Sequence, residues 1–198
     1  EGVALMTDTC ILFFIKYPTH GNVKTRLAKV IGEEVATSLC RNFVQDMLKG
    51  FEKVESQLRI CYAPCGTEDP EKDFKSWLGS QYEYREQKGD DLGERMKHAM
   101  QSAFDEGFRR VFIIGSDIPD FPPELLTKAF LDLDRQDAAV GPSYDGGYYL
   151  IGFRKDTFIP EVFDNIPWST RDVYRATLAK IQKADLELIR LPDWNDVD

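Results

Sequence analysis

The sequence predicts an α/β domain built on a mostly parallel sheet with helices on both faces. Two observations carry this expectation. Short runs such as Cys10-Ile-Leu-Phe-Phe-Ile15 and Val111 to Ile114 are continuously apolar, the pattern of strands buried on both faces. Between such runs lie segments whose apolar residues recur three and four apart, the spacing of helices with one buried stripe. The length of 198 residues suits a single domain over residues 1–198, and no repeat, low-complexity tract or Ser/Pro-rich linker divides it.

Cys10 to Ile15 is the first strand. Gly32 to Phe51 then reads as a helix, with Val35, Leu39, Phe43, Met47 and Phe51 as its apolar stripe. Leu58 to Ala63 is a second strand, stopped by Pro64-Cys-Gly66. A short helix follows over Asp69 to Leu78, then a weaker strand over Tyr82 to Glu86. Asp91-Leu-Gly-Glu94 has capping-box spacing, and Leu92, Met96, Ala99, Met100 and Ala103 supply the next helix face. Val111 to Ile114 is the fourth strand. Pro122-Pro123-Glu124 opens a helix with Leu125, Leu126, Ala129 and Leu133 inward. Asp137 to Gly141 and Tyr148 to Phe153 are strands. Ser169-Thr-Arg-Asp172 reads as the cap of a helix reaching about Ala184, and Leu186 to Leu191 as the last strand.

The charge balance narrows the partners. With 25 basic and 34 acidic residues the net charge is −9, which disfavours a non-specific nucleic-acid binder. No apolar run approaches the roughly 20 residues of a membrane span, and the N-terminus lacks the basic flank and apolar stretch of a secretory signal. The four cysteines, Cys10, Cys40, Cys61 and Cys65, lack zinc or redox spacing. The expectation is a cytoplasmic protein with reduced, structural cysteines.

In α/β sheets, ligands sit beyond the carboxyl ends of the strands, and the unusual residues of this chain fall there. After the first strand comes Lys16-Tyr-Pro-Thr-His-Gly21-Asn-Val-Lys24-Thr-Arg26. Gly21 suits a loop whose backbone N–H groups turn toward phosphate, and Lys16, Lys24 and Arg26 add positive charge. The spacing is not that of an NTPase P-loop. After the fourth strand comes Gly115-Ser-Asp117-Ile-Pro119-Asp120. Asp117, fixed between Gly and Pro, is a candidate oxygen ligand for Mg²⁺ or Mn²⁺, whereas Asp120 reads better as a turn or cap residue.

Asp145-Gly146-Gly147 reads equally as a tight turn between antiparallel strands or as a site where Asp145 faces an acceptor hydroxyl with Gly146 beside the substrate. Gln87 could meet a base edge with its amide, and Gly89 would let backbone approach a planar ligand. Trp168, Ser169 and Thr170 are candidate substrate contacts, Trp168 reading equally as a core anchor. Asp196 and Asp198 lie past the last strand, near the Asp117 edge.

These motifs, in this order, resemble the nucleotide-diphospho-sugar transferase superfamily, the GT-A fold. They resemble more closely a bacterial branch of glycosyltransferases associated with radical-SAM and selenoprotein-like domains. The matching stretches are Lys16-x-Pro18-x-x-Gly21-x-Val-Lys24-Thr-Arg26-Leu, Asp91-Leu-Gly-Glu-Arg95, Gly115-Ser-Asp117-x-Pro119, Gly141-Pro-x-x-Asp145-Gly-Gly-Tyr-Tyr-Leu-Ile-Gly152, Trp168-Ser-Thr170 and Asp196-Val-Asp198. The resemblance implies a three-layer α/β/α domain with a mixed central sheet. It further implies a nucleotide-binding half over about residues 10–120 and an acceptor half over about residues 121–198. Asp117 matches the superfamily's metal-binding aspartate, and Asp198 the late aspartate that shares the metal in several cytidylyl- and guanylyltransferases. Lys24 and Arg26 match its phosphate-holding basic residues.

The chain departs from sugar transferases in one respect. Where they usually carry Asp-x-Asp, it has Asp117-Ile-Pro119, closer to nucleotidyltransferases. The leading expectation is a transferase dependent on Mg²⁺ or Mn²⁺, using a nucleotide-diphospho-sugar and a small-molecule acceptor. Asp117 and Asp198 would hold the metal, Lys24 and Arg26 the leaving diphosphate, and Asp145 the acceptor hydroxyl. The alternatives are a nucleotidyltransferase that releases pyrophosphate from a nucleoside triphosphate, and a nucleotide-binding module without turnover.

Overall fold

Alternate residues of a strand face opposite sides of a sheet, so a continuously apolar strand needs cover on both. The computed structural model, which describes residues 8–19 and 24–197, shows this at β1 (Thr9–Ile15), buried along its whole length. Ile11, Phe13 and Ile15 enter one apolar cluster, and Cys10, Leu12 and Phe14 another on the opposite face. The first cluster is covered by α2 (Glu33–Phe51), α3 (Pro70–Leu78) and α5 (Pro123–Asp132). The second is covered by α4 (Leu92–Asp105), a 3-10 turn (Pro160–Phe163) and α6 (Val173–Lys183). The result is the expected three-layer α/β/α domain.

The remaining strands are β2 (Gln57–Tyr62), β3 (Glu83–Glu86), β4 (Arg110–Gly115), β5 (Ala138–Pro142), β6 (Tyr148–Arg154) and β7 (Leu188–Arg190). They form one sheet in the order β3-β2-β1-β4-β6-β5-β7. Only β6 runs against its neighbours β4 and β5; the other pairings are parallel. The antiparallel seam depends on Gly152, which lies opposite Phe112. A Cβ there would fall 1.6 Å from the Phe112 ring, itself stacked on Phe130 at 4.2 Å.

The chain builds outward from β1 to β2 and β3, then returns to place β4 on the other side of β1. Where the winding reverses, the loops beyond β1 and β4 diverge and leave a crevice, the usual ligand position in such sheets.

Four elements differ from the sequence reading. Residues Thr25–Ile31 form a helix, α1, inside the stretch read as a basic loop, and it buries no residue. The buried stripe of α2 is Ala36, Cys40, Val44, Met47, Leu48 and Phe51, leaving Val35 exposed. The two stripes share Met47 and Phe51 and differ by one residue only ahead of Met47. Helix α6 begins at Val173 without a side-chain cap, and Ser169 instead holds a left-handed backbone with φ 64°. Pro160–Phe163 turns where no element was expected, and its Val162 and Phe163 are buried.

The cysteines Cys10, Cys40, Cys61 and Cys65 are free, and burial pushes the Cys10 thiol up to about 12. Among the described residues no helix is long and apolar enough to cross a membrane.

Candidate active site

Beyond β1 and β4 the crevice opens into a cleft of about 830 Å³, of the size that holds small-molecule ligands. One end is acidic, lined by Asp117, Asp145 and Asp196. Apolar groups including Phe14, Leu92, Met96 and Trp168 also line it. Arg26 and the segment Ser169, Thr170 and Arg171 complete the walls. Leu92, expected to face the core, is 45% exposed and turned to the cleft.

Lys24 closes the acidic end. Its side chain is buried, and its ammonium donates to Asp117 Oδ1 and to the Val197 carbonyl. The Val197 N–H in turn donates to the Asp117 carbonyl at 2.8 Å. Three segments distant in sequence are therefore clasped together. Lys24 holds φ 49° and ψ 44°, a left-handed backbone that costs a non-glycine residue about 1–2 kcal/mol. Such strain persists where surrounding contacts impose it, and here the contacts are those of the clasp.

The acidic end repels itself. Asp196 accepts a hydrogen bond from Ser143 Oγ at 3.2 Å, yet its carboxyl is pushed up to about 6. Burial is the largest cause, followed by the charges of Asp145 and Asp117. Asp196 stands on a segment fixed by side chains as well as backbone. Trp194 Nε1 donates to Asp120 Oδ1 at 2.9 Å, and Tyr149 donates to the Pro192 carbonyl at 2.9 Å. Asp120 thus serves as a strap anchor.

Asp145 makes a turn and also borders the cleft. Its Oδ1 accepts the Gly147 N–H at 2.9 Å, making the turn between β5 and β6, and the side chain lines the cleft. Gly146, with φ 94°, is packed so closely that a Cβ would lie 2.3 Å from the Arg171 carbonyl oxygen. Trp168 is both anchor and wall. It crosses Tyr148 edge-on at 6.4 Å and lies over Gly93, where a Cβ would meet its Nε1 at 2.9 Å.

The structure thus gathers Arg26, Asp117, Asp145, Trp168, Ser169 and Thr170 around one cleft, with Lys24 and Gly146 directly behind. Lys16, at the end of β1, is exposed and outside the lining. Gln87 corrects its sequence reading: it is buried and donates its amide to the Cys61 carbonyl at 2.8 Å, tying β3 to β2. Gly89 serves the start of α4, its carbonyl accepting from Arg95 Nε at 3.1 Å. The cap there is Asp91, which accepts the Glu94 N–H at 2.9 Å. Gly21 and Asp198 lie outside the described residues. Asp196 is the late aspartate with a described place in the site. Its signal, Asn195-Asp-Val-Asp198, was visible, but spacing alone does not choose between two aspartates two residues apart.

Oxygen donors suit Mg²⁺ and Mn²⁺, and a divalent cation would relieve the mutual repulsion of Asp117, Asp145 and Asp196. Among the described residues, however, no three His, Cys, Asp or Glu side chains gather tightly enough to hold an ion by themselves. The donor chemistry therefore fits a cation whose coordination is completed by substrate phosphates, as is usual for Mg²⁺.

A family model described as an uncharacterized protein conserved in bacteria, DUF2064, matches residues 47–170. No curated protein matches by sequence. Among solved structures, the chain is 58% identical to a protein of Desulfovibrio desulfuricans provisionally named a nucleotide-diphospho-sugar transferase. That match covers 98% of this chain and 83% of the other, with TM-score 0.95. A cytidylyltransferase from Leptospira borgpetersenii shares the fold at 13% identity, over 97% of this chain and 79% of that one, with TM-score 0.59. So does Rv0371c of Mycobacterium tuberculosis, solved in complex with manganese: 12% identity, 97% and 93% coverage, TM-score 0.55.

Proposed function

This chain belongs to the DUF2064 family and has the nucleotide-diphospho-sugar transferase fold, and from that premise we propose that it is a metal-dependent transferase acting on a nucleotide-diphospho-sugar. The observation that carries the reading is the acidic cleft end clasped by Lys24 at the reversal of the sheet. There Asp117 and Asp196 would hold Mg²⁺ or Mn²⁺, which when bound supplies charge neutralisation for a departing diphosphate. Manganese bound to Rv0371c and the name of the Desulfovibrio protein support the same chemistry.

The roles of the side chains follow from their settings. Arg26 lines the cleft and would bind phosphate oxygens. Lys24 is already committed to Asp117 and Val197, so its first role is to fix Asp117 in place. Asp145, held in its turn by the Gly147 N–H, would accept the proton of an acceptor hydroxyl. Trp168 and Leu92 offer apolar surface to the rings of a bound ligand.

A second reading is nucleotidyl transfer. It is favoured by the lone Asp117 followed by Ile118-Pro119, and by the cytidylyltransferase fold match. In that reaction a phosphorylated acceptor attacks the α-phosphate of a nucleoside triphosphate and pyrophosphate leaves.

A melting-temperature panel with Mn²⁺ or Mg²⁺ separates the readings. Nucleoside diphosphates, triphosphates and nucleotide-sugars are compared on the wild type and on Asp117→Ala. A ligand bound only by the folded state at 100 times its Kd adds about 2.7 kcal/mol. Metal-dependent stabilisation by one diphosphate or its sugar conjugate, lost in Asp117→Ala, supports sugar transfer. Preference for a triphosphate, followed by pyrophosphate release, supports nucleotidyl transfer. No shift with any nucleotide refutes both.

A further inference from the structure

We infer that Arg171 is the recognition residue for an anionic acceptor: a small molecule carrying a carboxylate or phosphate close to the hydroxyl it presents to Asp145. The inference deepens the proposed function and rests on it for the identity of Asp145 as the hydroxyl's partner.

Most guanidinium groups among the described residues are engaged by a partner; Arg135, like Arg171, makes no side-chain ion pair or hydrogen bond, but it does not line the cleft. Arg59, Arg85, Arg110, Arg154, Arg175 and Arg190 each pair with a carboxylate. Arg171 lines a cleft that also holds three aspartates, yet among the described residues its side chain makes no ion pair or hydrogen bond. The net charge is −9, so carboxylates are plentiful, and an arginine facing the cleft without one is available to an incoming anion. Its planar fork matches two oxygens of a carboxylate or phosphate at once. The Ser169 and Thr170 side chains line the same wall; Thr170 Oγ1 already donates to the Pro167 carbonyl at 2.7 Å.

The spacing between Arg171 and Asp145 is fixed by backbone. Gly146 lies against the Arg171 main chain, where a Cβ would sit 2.3 Å from its carbonyl oxygen and 2.6 Å from its Cα. The Tyr174 N–H closes the same contact by donating to the Gly146 carbonyl at 2.9 Å. The turn bearing Asp145 and the segment bearing Arg171 therefore form one rigid wall. A molecule whose hydroxyl meets Asp145 has Arg171 within reach of a neighbouring substituent, and an anion there replaces the missing carboxylate partner.

The position separates this role from donor binding. Lys24, Arg26 and Asp117 follow β1 and β4, on the side assigned to the nucleotide, whereas Arg171 follows β6 and the 3-10 turn. Arg26 and Arg171 thus enter the one cleft from different segments of the chain, so each can serve a different anion.

The test uses matched probes at constant ionic strength: acetate, inorganic phosphate, glycerate, glycerol phosphate and neutral glycerol. Binding is read from melting temperature and from the arginine Nε–H signals by NMR, on wild type, Arg171→Gln and Arg171→Lys. Nucleotide affinity is measured separately on each variant. Glycerate or glycerol phosphate should bind more tightly than glycerol, and the better of the two identifies the anion. Arg171→Gln should weaken that binding about tenfold or more, Arg171→Lys should restore part of it, and nucleotide affinity should stay within about twofold. The assignment is overturned if no anion binds better than glycerol. It is equally overturned if Arg171→Gln weakens the nucleotide as much as the anion, because Arg171 then serves the donor. If anions bind through Arg171 and no nucleotide binds at all, the transferase reading fails while the anion site stands.

Discussion

Lys24 reaches across 93 positions of sequence to donate its ammonium to Asp117, and the same ammonium holds the carbonyl of Val197. This makes a basic residue of the first loop an internal clasp. The loops beyond β1 and β4 and the segment after β7 are joined at one buried nitrogen. The clasp also links Arg26, two residues on, to the acidic end of the cleft.

Replacing Lys24 should therefore cost stability as well as activity. Lys24→Met leaves Asp117 and the Val197 carbonyl without their donor, at about 1–3 kcal/mol. Lys24→Gly should be more stable than Lys24→Ala by about 1 kcal/mol, because glycine accepts the left-handed backbone at φ 49° without a Cβ penalty. Urea unfolding of the three variants checks both statements. Equal stability of the glycine and alanine forms would show that the left-handed conformation is wrong.

Asp196 predicts a pH dependence of definite sign. Its carboxyl is raised to about 6 in the folded chain, against an ordinary value of 3.8. Between those values the folded state holds a proton that the unfolded state has released. The contribution of Asp196 is then fully present below about pH 4 and is lost as pH rises through about 6. Asp196→Asn should flatten the fall in melting temperature between pH 4.5 and 7, in steps of about 0.5 unit. Mn²⁺ affinity should rise over the same range in wild type, because the cation competes with that proton. A melting-temperature slope identical in variant and wild type would remove the repulsive cluster from consideration.

The strap carrying Asp196 gives a third expectation. Trp194→Phe keeps an aromatic ring beside Phe121, 5.5 Å away in the native packing, and removes the N–H donated to Asp120 together with part of the indole's contact area. The loss of stability should be small, about 0.5–1.5 kcal/mol. Nucleotide-dependent Mn²⁺ binding, followed by electron paramagnetic resonance, should fall more than stability does if the strap positions Asp196. A variant that binds Mn²⁺ like wild type would make Trp194 a packing residue alone.

The fold was legible because strands buried on both faces leave an unambiguous trace, as Cys10 to Ile15 and Val111 to Ile114 do. The strand-end rule also brought Arg26, Asp117 and Asp145 to one cleft without knowledge of any contact. Long-range side-chain commitments were not legible. Gln87 gives no local sign that its amide belongs to the Cys61 carbonyl, nor Lys24 that its charge is buried on Asp117. Helix α1 escaped for a different reason: it buries no residue, so its hydrophobic spacing has no core to match. Arg171 was passed over as part of a helix cap, and only the contact with Gly146 reveals which wall it stands on.

That contact supplies the last prediction. Gly146 has φ 94°, and a Cβ would overlap the Arg171 backbone, which lacks the freedom of a side-chain tip to move aside. Gly146→Ala combines a left-handed penalty of about 1–2 kcal/mol with overpacking of about 1–3 kcal/mol. A total loss of at least about 2 kcal/mol is expected on urea unfolding, far above that of an ordinary surface substitution. Because the clash pushes the Asp145 turn away from Arg171, it acts on the acceptor wall and leaves the Lys24–Asp117 clasp alone. In the folded variant, glycerate or glycerol phosphate should bind less tightly while nucleotide affinity is kept. Gly147→Ala is the control. A Cβ there meets only the Asp145 carboxylate, at 3.3 Å, so its effect on stability should be clearly smaller. If the two alanine variants are equally stable, the close approach of the two loops is not the feature that sets the wall.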